Sequence, residues 1–246
     1  MIRLPITTSL AALALLAAAP AWAQPGRTPP GDPCGTGPGQ GAGNPCRGNN
    51  GNPGNQGNGN RPPQVAPIAL PPGNDRGVFI SQVGDTNTAT VRQTNSRSYF
   101  RSAQQGEGNR VTAAQMGGEQ YAAVAQDGAD NTATLTQDGS GPGVLLLAQD
   151  GALNSATVRQ RETGSSYSAA VVAQTGSGNA LSLTQDGAGN QARLSQTGDD
   201  NLMTAQQLGA GNRLAWEQNG SGLSDLRITQ TGGQAMQITQ TGPGGG

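Results

Sequence analysis

The chain has 246 residues, of which 33% are apolar and 3% aromatic, a composition that excludes a close-packed core of the ordinary kind. Its 14 basic residues are all Arg and face 15 acids, for a net charge of -1, so there is no basic footprint for nucleic acid. His is absent and Cys occurs twice, which removes the commonest general base and metal ligand and leaves too few thiols for a zinc site; no metal, cofactor or catalytic centre is expected.

Residues 1–23 read as a signal peptide: Arg3 precedes a Leu/Ala-rich run from Leu10 to Ala19, and Ala21-Trp22-Ala23 supplies small residues at the two cleavage positions. The run is about 10 residues where a bilayer needs about 20, so export is expected and no membrane-spanning segment. Residues 24–76 form a Pro/Gly/Asn-rich leader that cannot offset its ordering entropy by burial and is expected to be disordered. It holds Cys34 and Cys46 in two similar tripeptides, Asp32-Pro33-Cys34 and Asn44-Pro45-Cys46, as thiols either free or bridged. A bridge there would close a short loop, worth about 3 kcal/mol of chain entropy.

From residue 77 to 242 the chain is a repeat, marked by Gln. Gln82, Gln93, Gln104, Gln115, Gln126 and Gln137 stand 11 apart; Gln149, Gln160 and Gln174 follow at steps of 12, 11 and 14. Gln185, Gln196, Gln207 and Gln218 resume the step of 11, and Gln230 and Gln240 close the series at 12 and 10. Alternate corners differ, so the full repeat is 22. Two past every second Gln, starting with Gln82, stands a Gly, from Gly84 and Gly106 to Gly220 and Gly242. In the first six of these corners an Asn lies five past the Gln: Asn87, Asn109, Asn131, Asn154, Asn179 and Asn201. The intervening corners are looser, with Asn95 or Glu162 at the Gly position. Residues 243–246 are expected to form a flexible tail.

Between corners the pattern alternates as in strands, for example Asn131, Ala133, Leu135, Gln137 on one face. Charges keep to the other parity: Arg92, Arg101, Arg110, Arg159, Arg193, Arg213, Glu217, Asp225 and Arg227 all point outward on this count, and the rest fall in corners. An all-β solenoid of about 22 residues per turn follows, with two strands and two corners in each turn and cross-β stacking. Inward Gln and Asn can then donate to and accept from the turns above and below, as structural ladders.

This repeat resembles the curlin repeat, Ser-x5-Gln-x-Gly-x-Gly-Asn-x-Ala-x3-Gln. Ser98, Gln104, Gly106, Gly108, Asn109 and Gln115 match it with Val111 for Ala, and Ser168, Gln174, Gly176, Gly178, Asn179 and Gln185 match it with Leu181 for Ala. The resemblance implies a structural, non-enzymatic subunit of extracellular curli-like amyloid fibres for adhesion and biofilm. The same resemblance implies further copies of itself and other curlin-type subunits as partners, with an outer-membrane secretion pore and a nucleator.

Other readings fit less well. The Gln-Asp-Gly corners (Asp127, Asp138, Asp150, Asp186) lack the nine-residue period of a calcium-binding β-roll, and Thr88-Ala89-Thr90 does not continue into the Thr row of an ice-binding face. The alternative to a fibre subunit is a monomeric secreted solenoid adhesin. Against it stands the absence of a polar cap. At the N-terminal end Asp75, Arg76 and the prolines guard the first strand, whereas Ile228 to Gly242 carries no charge, so Leu226 to Gln240 is expected to be the open polymerisation edge.

Overall fold

The computed structural model describes Ile68 and residues 76–242. The expected signal peptide, both Cys, residues 243–246 and all of the expected leader but Ile68 and Arg76 lie outside the described residues. The repeat folds into fifteen strands: β1 (Gly77–Val83), β2 (Thr88–Gln93), β3 (Tyr99–Glu107), β4 (Arg110–Gln115), β5 (Gln120–Ala129), β6 (Thr132–Gly139), β7 (Gly143–Ala152) and β8 (Ser155–Glu162), followed by seven more. These are β9 (Ser168–Ser177), β10 (Ala180–Asp186), β11 (Gln191–Thr197), β12 (Leu202–Leu208), β13 (Arg213–Asn219), β14 (Ile228–Thr231) and β15 (Ala235–Thr241).

Odd-numbered strands form an eight-stranded sheet and even-numbered strands a seven-stranded one, each in sequence order, and every pairing is parallel. That is the topology of a solenoid, because each strand pairs with the one a full turn away and the next strand crosses to the opposite sheet. Gln aligns with Gln in every pairing, as in Gln104 with Gln126 and Gln185 with Gln207. The one-in, one-out alternation sets this register, since a slip of one residue would put every apolar side chain in water.

A single core runs the length of the interior. Phe100, Leu145, Leu147, Leu194, Leu214 and Trp216 come from the eight-stranded sheet, and Val111, Leu135, Val158, Leu183 and Met203 from the other, all buried. Arg92, Arg110, Arg159, Arg213, Glu217 and Arg227 are exposed, while Arg101 and Arg193 are half-buried. Ser102, at an inward position between Ile80 and Val124, is buried with no partner for its hydroxyl.

Three details depart from the expectations. Glu162, assigned to a corner, ends β8 as an inward residue only 1% exposed. Its Oε1 accepts from Gly164 N–H at 2.9 Å, and its Oε2 from the Ser168 hydroxyl and, at 3.2 Å, from Gly189 N–H. Three donors replace the water that this carboxylate gives up. Asp225, assigned to the outward face, instead folds into a bulge: its Oδ1 accepts from Thr204 N–H and from Arg227 N–H, both at 2.9 Å. The extra residue in the step from Gln218 to Gln230 breaks the parity there, Arg227 takes φ 46°, and β14 begins only at Ile228 rather than at Leu226. The third departure is Ile68, which belongs to the expected disordered leader yet is 5% exposed. It packs on Val144, Ala169 and Val171 of the eight-stranded sheet's outer face, its N–H donating to Gln191 Oε1 at 3.1 Å and its carbonyl accepting from Tyr167 Oη at 2.7 Å.

Candidate functional site: amide ladders and open ends

The inward Gln side chains stand above one another. In the eight-stranded sheet Gln82 Nε2 donates to Gln104 Oε1 at 2.7 Å and Gln104 to Gln126 at 2.9 Å. Gln126, Gln149, Gln174, Gln196 and Gln218 continue the chain of bonds at 2.7–2.9 Å, and Gln240 receives the last one. In the seven-stranded sheet Gln115, Gln137, Gln160, Gln185, Gln207 and Gln230 are linked in the same way at 2.7–2.9 Å. Each interior amide also donates to a backbone carbonyl, as Gln126 Nε2 does to Arg110 O at 3.2 Å. Buried polar side chains are thereby satisfied without any charge.

One rung is missing. Gln93 is in register with Gln115, yet Gln93 Nε2 and Gln115 Oε1 are both buried without partners.

The Asn side chains form a second kind of ladder at the corners. Asn109 N–H donates to Asn87 Oδ1 at 3.0 Å, and the same bond joins Asn131, Asn154, Asn179 and Asn201 to the Asn of the preceding turn at 3.0–3.1 Å. Each Nδ2 reaches forward to the next turn's corner glycine carbonyl, as Asn131 does to Gly151 at 2.9 Å. That carbonyl explains the glycine: a Cβ on Gly128, at φ +115°, would lie 1.9 Å from Gly151 O. The corner residue four past the Gln is also left-handed, and it is Gly at 108, 178 and 222 but Thr86, Asp130, Leu153 and Asp200 elsewhere.

The looser corners carry a ladder of their own, at the position where the sequence places Ser98 and Asn190 in the stead of the corner Asn. Ser98 Oγ accepts from Gln120 N–H at 3.1 Å, Ser168 Oγ from Asn190 N–H at 3.1 Å, and Asn190 Oδ1 from Asn212 N–H at 3.1 Å. Mixed chemistry obscured its full length, since Ser, Gln, Gly and Asn share the position and the bonds between turns follow from the backbone register. A phased alignment of the 22-residue units would have shown Ser98, Ser168, Asn190 and Asn212 in one column.

Among the described residues no cluster of acidic or thiol side chains is arranged to hold a metal ion, and no helix is long and apolar enough to cross a membrane. Asp127 and Asp150 are neighbours in register on the surface of stacked corners. What stands open are the ends. β1 and β2 close one end of the two sheets, β15 and β14 the other, and no strand covers their outer edges among the described residues. Val78, Phe79 and Ile80 are 43–47% exposed at the first end, and Ile228, Met236 and Ile238 are half-buried at the last.

The ladders give these ends a direction. All twelve Gln–Gln bonds run from Nε2 of the earlier turn to Oε1 of the later one, so each ladder ends on an Nε2, which at Gln230 donates to Arg213 O and Gln234 O and at Gln240 to Ser224 O. Gln240 is also fixed by Trp216, whose Nε1 donates to its Oε1 at 2.8 Å.

Comparison with known proteins finds the curlin-associated repeat at residues 106–139 and again at 176–209. No curated protein and no solved structure matches the chain. The matched segments begin at Gly106 and Gly176, the corner glycines of the two turns in which Ser, Gln, Gly and Asn all fall on the repeat, so the chain carries two segments that match the curlin-associated repeat.

Proposed function

We propose that this chain is a structural subunit of an extracellular, curli-type amyloid fibre that grows by stacking one solenoid end on the other. The observation that carries the reading is the pair of ends left uncovered among the described residues: apolar interiors, unpaired strand edges, and amide ladders that run in one direction from the first end to the last. A solenoid that works as a monomer needs capping turns with a polar outer face, whereas these ends continue the interior pattern. The two segments that match the curlin-associated repeat support the same assembly. Adhesion and biofilm matrix formation are the roles such a fibre would serve, after export across the cell envelope through an outer-membrane pore and with a nucleating subunit. The chain's own contribution is mechanical, with no catalytic step.

The purified mature chain, incubated at neutral pH, is expected to form unbranched fibres by electron microscopy, with a lag that pre-formed fibres abolish. A chain that stays monomeric, with or without such seeds, overturns the reading.

A further inference from the structure

The described residues form fifteen half-turns, an odd number, and that bears on how two copies can meet. The path leaves β15 in the eight-stranded sheet, so the next position along the solenoid lies in the other sheet, above β14. We propose that successive copies join head to tail with a half rotation about the solenoid axis, β1 of the incoming copy pairing with β14 and its β2 with β15. The two sheets thus exchange roles at every junction. The proposal rests on the fibre reading above and adds the geometry of the joint.

An unrotated junction would place β1 on β15 and leave β2 facing β14 across an empty rung, two strand spacings or about 9.5 Å away. Both edges around that gap would keep unpaired N–H and C=O groups, with half of the cross-section empty between them. The rotated junction leaves no vacancy.

The side chains point the same way. At the last end the ladders stop at Gln230 and Gln240, whose Nε2 groups donate only to carbonyls of their own chain, Arg213 O and Gln234 O for Gln230 and Ser224 O for Gln240, and at the first end they begin with Gln82 and Gln93. With rotation, Gln230 meets Gln82 and Gln240 meets Gln93, so all four are used. Without it only Gln240 and Gln82 meet, while Gln93 and Gln230 have none. The broken rung between Gln93 and Gln115 becomes intelligible, since a donor from Gln240 would hold Gln93 Oε1 outward and turn its Nε2 toward the unpaired Gln115 Oε1. The rotated register also sets Met236 against Ala89 and Ile238 against Val91 inside, with no charge between them. On the other side Ile80–Val83 matches the four residues of β14, and Gly77–Phe79 passes over the Asp225 bulge.

Disulfide trapping separates the two joints. In parallel neighbours the Cα spacing of about 4.8 Å suits a disulfide, and β15 and β2 of one chain lie at opposite ends, so any bond between them is intermolecular. In the full chain with Cys34→Ser and Cys46→Ser, the pair Thr90→Cys and Gln237→Cys reports the rotated joint. The pair Phe79→Cys and Gln237→Cys reports the unrotated one. After assembly and mild oxidation, the first variant is expected to give a ladder of covalent multimers on a non-reducing denaturing gel, and the second to remain monomeric. Multimers from the second and not from the first overturn the half rotation while leaving the fibre reading intact. Absence of fibres from the thiol-free parent overturns both. Should a Cys variant fail to assemble where the parent does, helical reconstruction of the parent fibre decides. A half rotation with a rise of about 36 Å per subunit supports the proposal, and no rotation with about 38 Å refutes it.

Discussion

Gln126 makes four hydrogen bonds through one side chain: it accepts from Gln104 and donates to Gln149, Arg110 O and Asn131 O. Truncation to Ala would strand groups that no water reaches, at about 1–3 kcal/mol for each one left unsatisfied. Gln126→Ala is therefore expected to lower the stability of the monomeric chain by about 2–4 kcal/mol in urea unfolding, and outward Arg110→Ala by less than about 0.5 kcal/mol. Equal losses would contradict the assigned faces. At the corners, Leu153 holds φ 58° where the equivalent turns use Gly108, Gly178 and Gly222. The left-handed conformation costs an L-residue about 1–2 kcal/mol, more than the extra chain entropy of Gly. Leu153→Gly is accordingly expected to stabilise by about 0.5–1 kcal/mol, read as an upward shift of the urea midpoint.

At the scale of strands and corners, most of the architecture was legible because two independent signals agreed. The 11-residue spacing of Gln gave the half-turn, and the parity of charges gave the inward face, so strand positions followed without reference to propensity. Legibility failed where the period slipped or where the contact was remote. The inserted residue before Gln230 folded Asp225 into a bulge that meets the Thr204 N–H and shortened β14 to four residues. Glu162 stood where other corners have Gly, and only the fold reveals that Ser168, Gly164 and Gly189 converge on its carboxylate. Ile68 meets Gln191 across 123 residues, a separation that no periodicity encodes. That contact refines the part played by the leader: full burial of an Ile side chain is worth about 1.5–3 kcal/mol, and its loss would uncover Val144, Ala169 and Val171. A chain starting at Gly77 is expected to form fibres still, but to unfold at lower urea concentration and to bind more of a hydrophobic dye. Failure to assemble would make the leader part of the fibre core.

For the whole molecule the decisive feature is that each turn is finished only by its neighbours. Interior turns have them, and the two terminal turns do not: Gln82 is exposed and Gln93 and Gln240 are half-buried, whereas every other Gln of the series is buried. Met236 and Ile238 face the interior of the last strand, so Lys at both would place charges where an incoming copy offers no partner. The Met236→Lys, Ile238→Lys variant is expected to lengthen the lag and slow seeded growth much more than Gln237→Lys, Thr239→Lys on the outer face of the same strand; equal rates would show that this end is not the template. Stacking of solenoids end on end would set the strands perpendicular to the fibre axis, because the solenoid axis becomes the fibre axis. X-ray diffraction from aligned fibres of the purified chain tests this most directly. A meridional reflection near 4.8 Å with an equatorial one near 10 Å is the predicted result, and fibres that lack the meridional spacing would contradict it.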